Sequence, residues 1–188
     1  PLIQAASLVF LGRPALPAGA WDEYVQWLGL TAGAPVTKSR VNIPWRIERL
    51  DEWASLRGRR YASRPAHADQ LHVDLWYKGR NILLDAGSYA YNAAPPWDNG
   101  LMIAGVHNSL TVDGQDPMQR AGRFLWLRWA QAQWDAAGTI PGERLMAYHD
   151  GFARLGWRCQ RILQWLAPGE WRVTDELIPL ISHTGKQQ

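Results

Sequence analysis

Cysteine is almost absent from this chain. The lone Cys159 can form no internal disulfide, so cysteine usage does not reveal the redox compartment, and a buried inert thiol is expected. Long apolar runs are missing too: Leu2 to Leu11 is too short and too polar to span a membrane. There is no internal repeat, no low-complexity tract and no block of like charge. Against 17 acidic residues stand 20 Lys and Arg, giving a net charge of +3. The densest basic group is Arg57 to Arg60, short of the stripe a nucleic-acid binder needs but suited to an acidic ligand approaching one face. Neither a nucleic-acid nor a membrane partner is expected.

Phenylalanine is scarce, at 3 residues, whereas tryptophan is abundant, at 12. Rings of that size serve either a sandwich core or a sugar-stacking surface, and core packing is the expectation for most of them. Trp97 differs, because it lies in the turn-rich Pro95-Pro-Trp-Asp-Asn-Gly100 and is the best candidate for an exposed ring that binds substrate. An apolar fraction of 47% over 188 residues suffices for one substantial core.

The apolar periodicity divides the chain. Over residues 18–30, Trp21, Tyr24, Val25 and Leu28 recur at helical spacing with Asp22 and Glu23 in the first turn, which predicts a short amphipathic helix. Leu2 to Leu11 is a second candidate, followed by a Gly/Pro break, and residues 31–41 read as a linker. Residues 1–41 are thus expected to be a helical segment and linker, and 42–188 a β domain. There Leu71, Val73, Leu75 and Tyr77 alternate with polar or aromatic residues, and a turn over Gly79-Arg80 leads into Ile82 to Asp85. Further strands are expected at Ser109–Val112, Phe124–Trp134, Leu145–His149, Trp157–Leu166 and Trp171–Leu177, with Trp126, Arg128, Ala130 and Trp134 on one face. Serial strands without intervening helices predict a mainly β protein, an antiparallel two-layer sandwich.

Site chemistry concentrates between Arg64 and Ser109, where three of the five histidines lie. Imidazole and carboxylate are zinc ligands and also proton carriers. Two groupings are open. His67, Asp85 and His107 can supply three ligands from separate segments, provided the chain before residue 70 curls over the sheet or His107 returns across it. Alternatively, a Gly79-Arg80 turn would put Asp85 opposite Asp74 and His67 opposite Asn92, making His72, Asp74 and Asp85 the local cluster. Spacing does not choose between them. Without a metal, both are hydrogen-bonded polar side chains on a half-solvated sheet face.

The run His67-Ala-Asp69-Gln-Leu-His-Val-Asp-Leu-Trp-Tyr-Lys-Gly-Arg-Asn-Ile-Leu-Leu-Asp85-Ala-Gly-Ser-Tyr89-Ala-Tyr91-Asn92, followed by His107-Asn108-Ser-Leu-Thr-Val-Asp113-Gly114, resembles the C-terminal β-sandwich domain of the heparinase II/III family of polysaccharide lyases. Tyr148-His-Asp-Gly-Phe152, Arg161 and Trp171-Arg-Val-Thr-Asp175-Glu extend the resemblance from about residue 55 to the end. It implies that an α/α toroid precedes the sandwich, so that the helices before residue 31 are its remnant and the chain is a piece truncated at both ends. It also implies a zinc ion held by His67, Asp85 and His107, an acidic polysaccharide as partner, and a periplasmic or secreted location.

The implied reaction is β-elimination on a uronic-acid-containing polysaccharide: the carboxylate is neutralised, a base takes the C5 proton and the O4 leaving group is protonated. The principal tyrosine and the residues handling the carboxylate would come from the toroid, so this piece alone is expected to be inactive. Within the sandwich, Tyr89 and Tyr91 are candidates for proton transfer, Asn108 for a donor to substrate, and Asp69 for a group that fixes a histidine tautomer. One departure stands out. Members of the family commonly show His-Gly-His-Ala-Asp, the first histidine facing substrate, where this chain has Pro65-Ala66-His67-Ala68-Asp69. A non-catalytic module that grips acidic polysaccharide is therefore the rival reading. His149 and His183 are expected to be structural or surface residues.

Overall fold

A computed structural model describes residues 2–16, 22–30 and 45–180. The chain divides into two compact units, Pro1–Asn42 and Ile43–Gln188. In the first, helix α1 (Leu2–Leu11) and helix α2 (Asp22–Trp27) fall within the segments where helical spacing was read. Gly12, at a φ of 65°, ends α1 in the left-handed conformation that glycine adopts without strain. Buried Gln4 then ties the helices together: its amide nitrogen donates to the Leu16 carbonyl and the Asp22 carboxylate at 3.1 and 2.8 Å, and its oxygen accepts from the Leu16 N–H. Trp21, the 31–41 linker and His183 lie outside the described residues.

The second unit is a β-sandwich, as the strand series predicted. One sheet runs β1 (Arg46–Glu48), β2 (Glu52–Leu56), β3 (Val73–Tyr77), β4 (Arg80–Leu83), and β5 (Gln119–Gly122) pairs with β6 (Leu125–Leu127) as a separate hairpin. The other sheet runs in the order β10 (Glu170–Pro179), β9 (Trp157–Ala167), β8 (Arg144–His149), β7 (Ala132–Trp134). All pairings are antiparallel. Ile47, Ala54, Leu56 and Val73 from the first sheet meet Leu145, Ala147, Cys159 and Leu163 from the second in one buried cluster, which Phe152 and Val112 close. Alternation puts Ala54 and Leu56 inward and Trp53 and Ser55 outward. Cys159 is buried there, and burial pushes its thiol up to about 12, so it stays protonated and inert.

Several local expectations fail for identifiable reasons. Ser109–Val112 forms no strand and makes only an isolated bridge from Val112 to Gln115. The expected strand Phe124–Trp134 is broken, because Arg128 has a φ of 54° that a strand cannot hold; Trp126 and Ala130 turn inward while Arg128 stays exposed. Nor do most tryptophans fill the core. Among the described residues only Trp126 is fully buried; Trp53 and Trp76 stack on each other with centroids 5.6 Å apart, and Trp157, Trp165 and Trp171 flank the core half-buried. A layer filled by Ala54, Ala147 and Leu side chains leaves little room for indoles, which line its margins instead.

The hairpin register also differs. The β3–β4 turn falls on Lys78-Gly79, with φ values of 48° and 75°, which is the type I′ geometry suited to two-residue hairpins. A shift between Leu75 and Trp76 then sets Leu75 against Leu83, and the ladder stops. Asp85 therefore does not stand opposite Asp74. His67 does not face Asn92 either, whose side-chain oxygen accepts from Arg123 at 3.1 Å.

Candidate metal centre and its cleft

Three chain segments reach one end of the sandwich: the loop from Arg57 to His72, the stretch after β4 that carries Asp85, and the turn ending at His107. The left-handed Leu71, at a φ of 58°, makes the first loop double back before β3 begins at Val73. Buried Arg161 on β9 holds the fold-back, since its Nη1 donates to the carbonyls of Leu71 and Asn108 at 2.6 and 2.5 Å. Its Nε and Nη2 make a bidentate pair with Asp175 at 2.7 and 2.8 Å. His107 returns across the sheet edge: the Val73 N–H donates to the Asn108 carbonyl at 3.2 Å, and the Asn108 side-chain amide donates to the carbonyls of Val73 and Leu84, both at 3.1 Å. Asn108 thus fixes the chain beside β3 and β4.

These contacts bring His67, Asp85 and His107 together, with one ligand atom from each lying within 4.8 Å of the others. His67 Nδ1 is 3.2 Å from His107 Nε2, and His107 Nδ1 is 3.4 Å from Asp85 Oδ1. The rival set is not assembled. His72 is buried and its Nδ1 accepts from the Asn108 N–H at 3.1 Å, so the neutral ring carries its proton on Nε2, turned toward Asp85 Oδ2 at 3.9 Å. That nitrogen has no lone pair to offer a metal. Asp74 faces away from the core, in register with Ser55 on β2.

Electrostatics suit a cation. Burial lowers the pKa of His107, against the pull of Asp85, and lowers that of His72 to about 4, so both rings are neutral near pH 7. Burial pushes the Asp85 carboxyl up, but the Gly87 N–H, His72, Arg57 and His107 together hold it below the usual carboxylate value. Neutral imidazoles with an ionised carboxylate are the protonation states that metal binding requires. The buried Nδ1 of His107, which faces Asp85, has no hydrogen-bond partner, and a cation bound there would supply one. The residues present therefore fit a metal ion.

The remaining candidates take different places. The Asp69 carboxylate contacts no imidazole directly; it accepts from Arg57 Nη1 and from the Tyr61 hydroxyl, the latter at 3.2 Å. Tyr89 is 78% exposed and meets Trp97, itself 56% exposed, edge to face with centroids 6.3 Å apart. Tyr91 leans on Phe124 at 5.5 Å. His149 is buried at the end of β8, where its Nδ1 accepts from the Gly151 N–H at 3.0 Å. Beside the centre opens a cleft of about 810 Å³ whose walls include Arg57, Arg59, Arg60, Arg64, His67 and Asp85. Pro65 also lines it, a position that offers no proton carrier.

Arg57 was visible in the sequence only as part of a basic run, and Arg161 only as a matched position. Asp175 stands opposite Arg161 in the β9–β10 hairpin, but their other partners Asp69, Asp85, Leu71 and Asn108 lie from 12 to 90 residues away, and no spacing rule connects them.

An antiparallel sandwich with a His-Asp-His cluster at the mouth of a basic cleft defines the class of domain. A family model described as heparinase II/III-like, C-terminal, matches residues 54–185, and the chain belongs to that family. Among solved structures it is similar to heparinase III, the BT4657 gene product with methylated lysines, at a TM-score of 0.53 and 14% identity. That match covers 68% of this chain and 19% of the other, so the chain spans about a fifth of that protein's length. No curated protein matches the chain.

Proposed function

We propose that this domain is part of a polysaccharide lyase that cleaves uronic-acid-containing polysaccharide by β-elimination, and that it supplies a zinc site and one wall of the cleft. The observation that carries the proposal is the convergence of His67, Asp85 and His107 beside a cleft lined by four arginines. A bound zinc supplies a fixed positive charge and an organising centre for the loops. Arg57, Arg59, Arg60 and Arg64 draw an acidic chain into the cleft and stabilise negative charge there. Tyr89 and Trp97 form an exposed aromatic shelf on which a sugar ring can stack, and Tyr89 and Tyr91 carry the hydroxyls available for proton transfer. Asn108 serves this site by holding the strand ends, since both of its amide bonds reach backbone carbonyls. Asp69 acts through Arg57. The abstraction of the C5 proton depends on residues outside this domain, which belong to a preceding toroid, and the location that suits the substrate is periplasmic or secreted.

The test has two arms. Purified chain is expected to carry about one zinc per molecule by elemental analysis, and chelation is expected to lower its melting temperature; a zinc-free protein indifferent to chelators would refute the metal centre. Full-length protein incubated with alginate or a glycosaminoglycan is expected to generate the absorbance of a new C4–C5 double bond. Binding without that absorbance would establish the second reading, a non-catalytic module for acidic polysaccharide, which Pro65 favours.

A further inference from the structure

Resting on the metal centre proposed above, we infer that Arg57 is a positioning residue for the metal ligand Asp85, clamped in turn by Asp69. Asp85 lies beyond the end of β4, where no ladder holds it; among the described residues, besides the ring edges of His72 and His107, its carboxylate has only the Gly87 N–H at 2.8 Å and Arg57 Nη2 at 3.1 Å. Arg57 is itself fixed from several sides. Its backbone N–H donates to the His72 carbonyl at 2.9 Å and its carbonyl accepts from the Leu71 N–H at 2.7 Å, so the residue cannot slide along the sheet end. Its Nη1 meets the buried Asp69 carboxylate, which the Tyr61 hydroxyl also engages. The planar guanidinium therefore bridges two carboxylates, a geometry that lysine cannot reproduce.

A cation next to a metal site has two opposed effects. By charge alone Arg57 repels the ion; by gripping Asp85 it presents a ligand already oriented. Asp69 decides between them, because its buried negative charge cancels much of the guanidinium charge and leaves the orientation intact. Groups that orient metal ligands from behind typically contribute 10–100-fold in metal affinity.

The experiment measures zinc affinity of the 188-residue chain, stripped of metal and titrated in competition with a chromophoric chelator, for wild type, Arg57→Lys and Arg57→Gln. Cobalt(II) absorption spectra provide a second readout. Both variants are expected to bind zinc roughly 10–100-fold more weakly and to show an altered cobalt spectrum. Tighter binding by Arg57→Gln with unchanged binding by Arg57→Lys would mean that the charge acts only by repulsion, and would overturn the inference. Should Arg57→Gln fail to fold, Arg57→Lys decides alone. Wild-type chain that binds no zinc would remove the metal centre, and the role of Arg57 with it. Zinc-binding wild type with both variants unchanged would remove only the role of Arg57.

Discussion

Replacing Arg161 by Met tests whether one buried side chain holds the ends of the candidate site together. Arg161 has little solvent contact, and its four hydrogen bonds run in two directions. Two reach the Leu71 and Asn108 carbonyls, in the segments that deliver His72 and His107; two form the fork with Asp175. Methionine fills much of the same volume, so the cavity contribution is small and the polar losses dominate. Each charge-assisted bond is worth about 1.5–3 kcal/mol, and each carbonyl left without a partner adds a desolvation penalty of about 1–3 kcal/mol. Asp175 offsets part of this, because its side chain is 29% exposed and can rehydrate. The net cost is therefore about 3–5 kcal/mol, the range found when one partner of a buried ion pair is removed. For a domain of this size, that lowers the melting temperature by about 10 °C or more. Urea unfolding followed by tryptophan fluorescence measures it directly. Zinc affinity of the folded variant is expected to fall as well, because Leu71 and Asn108 are released. A loss below about 1 kcal/mol would refute the reasoning, since it would mean that water or a neighbour satisfies both carbonyls.

Other expected outcomes follow from the same geometry. Glu52→Ala leaves the indole N–H groups of Trp165 and Trp171 and the Gly169 N–H without their acceptor, and is expected to cost about 3 kcal/mol in urea unfolding. Burial opposes ionisation of Glu52, but these donors hold its pKa below the usual value, so its contribution is present at neutral pH and is lost as pH falls through that lowered value. His149 follows the same sign: burial, reinforced by Arg161, lowers its pKa to about 4, so here too the unfolded chain binds the proton first. Its neutral form stabilises the fold above about pH 6.5, and stability falls as pH drops from there toward 4, by up to about 1.4 kcal/mol per pH unit. His149→Gln is expected to flatten that slope; an unchanged pH profile of unfolding would contradict a buried neutral ring. Asn108→Ala removes the bonds to Val73 and Leu84, and is expected to reduce stability by about 2 kcal/mol and to weaken zinc binding, read by melting temperature and chelator competition. Trp97→Ala, at an exposed ring, is expected to leave stability within about 0.5 kcal/mol while reducing retention on an acidic-polysaccharide matrix.

The parts of the fold legible in sequence are those governed by local pattern. Alternation marked β3, the segments Leu145–His149, Trp157–Leu166 and Trp171–Leu177 coincide with β8, β9 and β10, and Ala167-Pro-Gly-Glu170 marked the turn between the last two. Where one backbone dihedral decides, pattern fails: Arg128 in the left-handed region splits a strand, and Lys78 in the same region moves a turn by one residue and so displaces Asp85 from Asp74. Moving the turn by one position shifts the pairing by two and the irregularity between Leu75 and Trp76 takes back one, so the net one-residue slip exchanges the faces of the strand, which was enough to make the rival cluster look geometrically sound.

The candidate site was legible only through its motifs, and the physical reason lies in how it is held. His67, Asp85 and His107 stand on segments outside the regular strands, and what brings them together are single long-range hydrogen bonds from Arg57, Asn108 and Arg161. None of these bonds leaves a periodic trace, because each depends on the packing of the two sheets having already occurred. Arg161 reaches from the second sheet to loops of the first, so the proposed metal site and sandwich stability share a residue far from any candidate ligand in sequence. A substitution that loosens the sandwich should therefore weaken zinc binding before it unfolds the chain, and zinc should in turn raise the melting temperature of that variant more than of one altered only at the exposed Trp97.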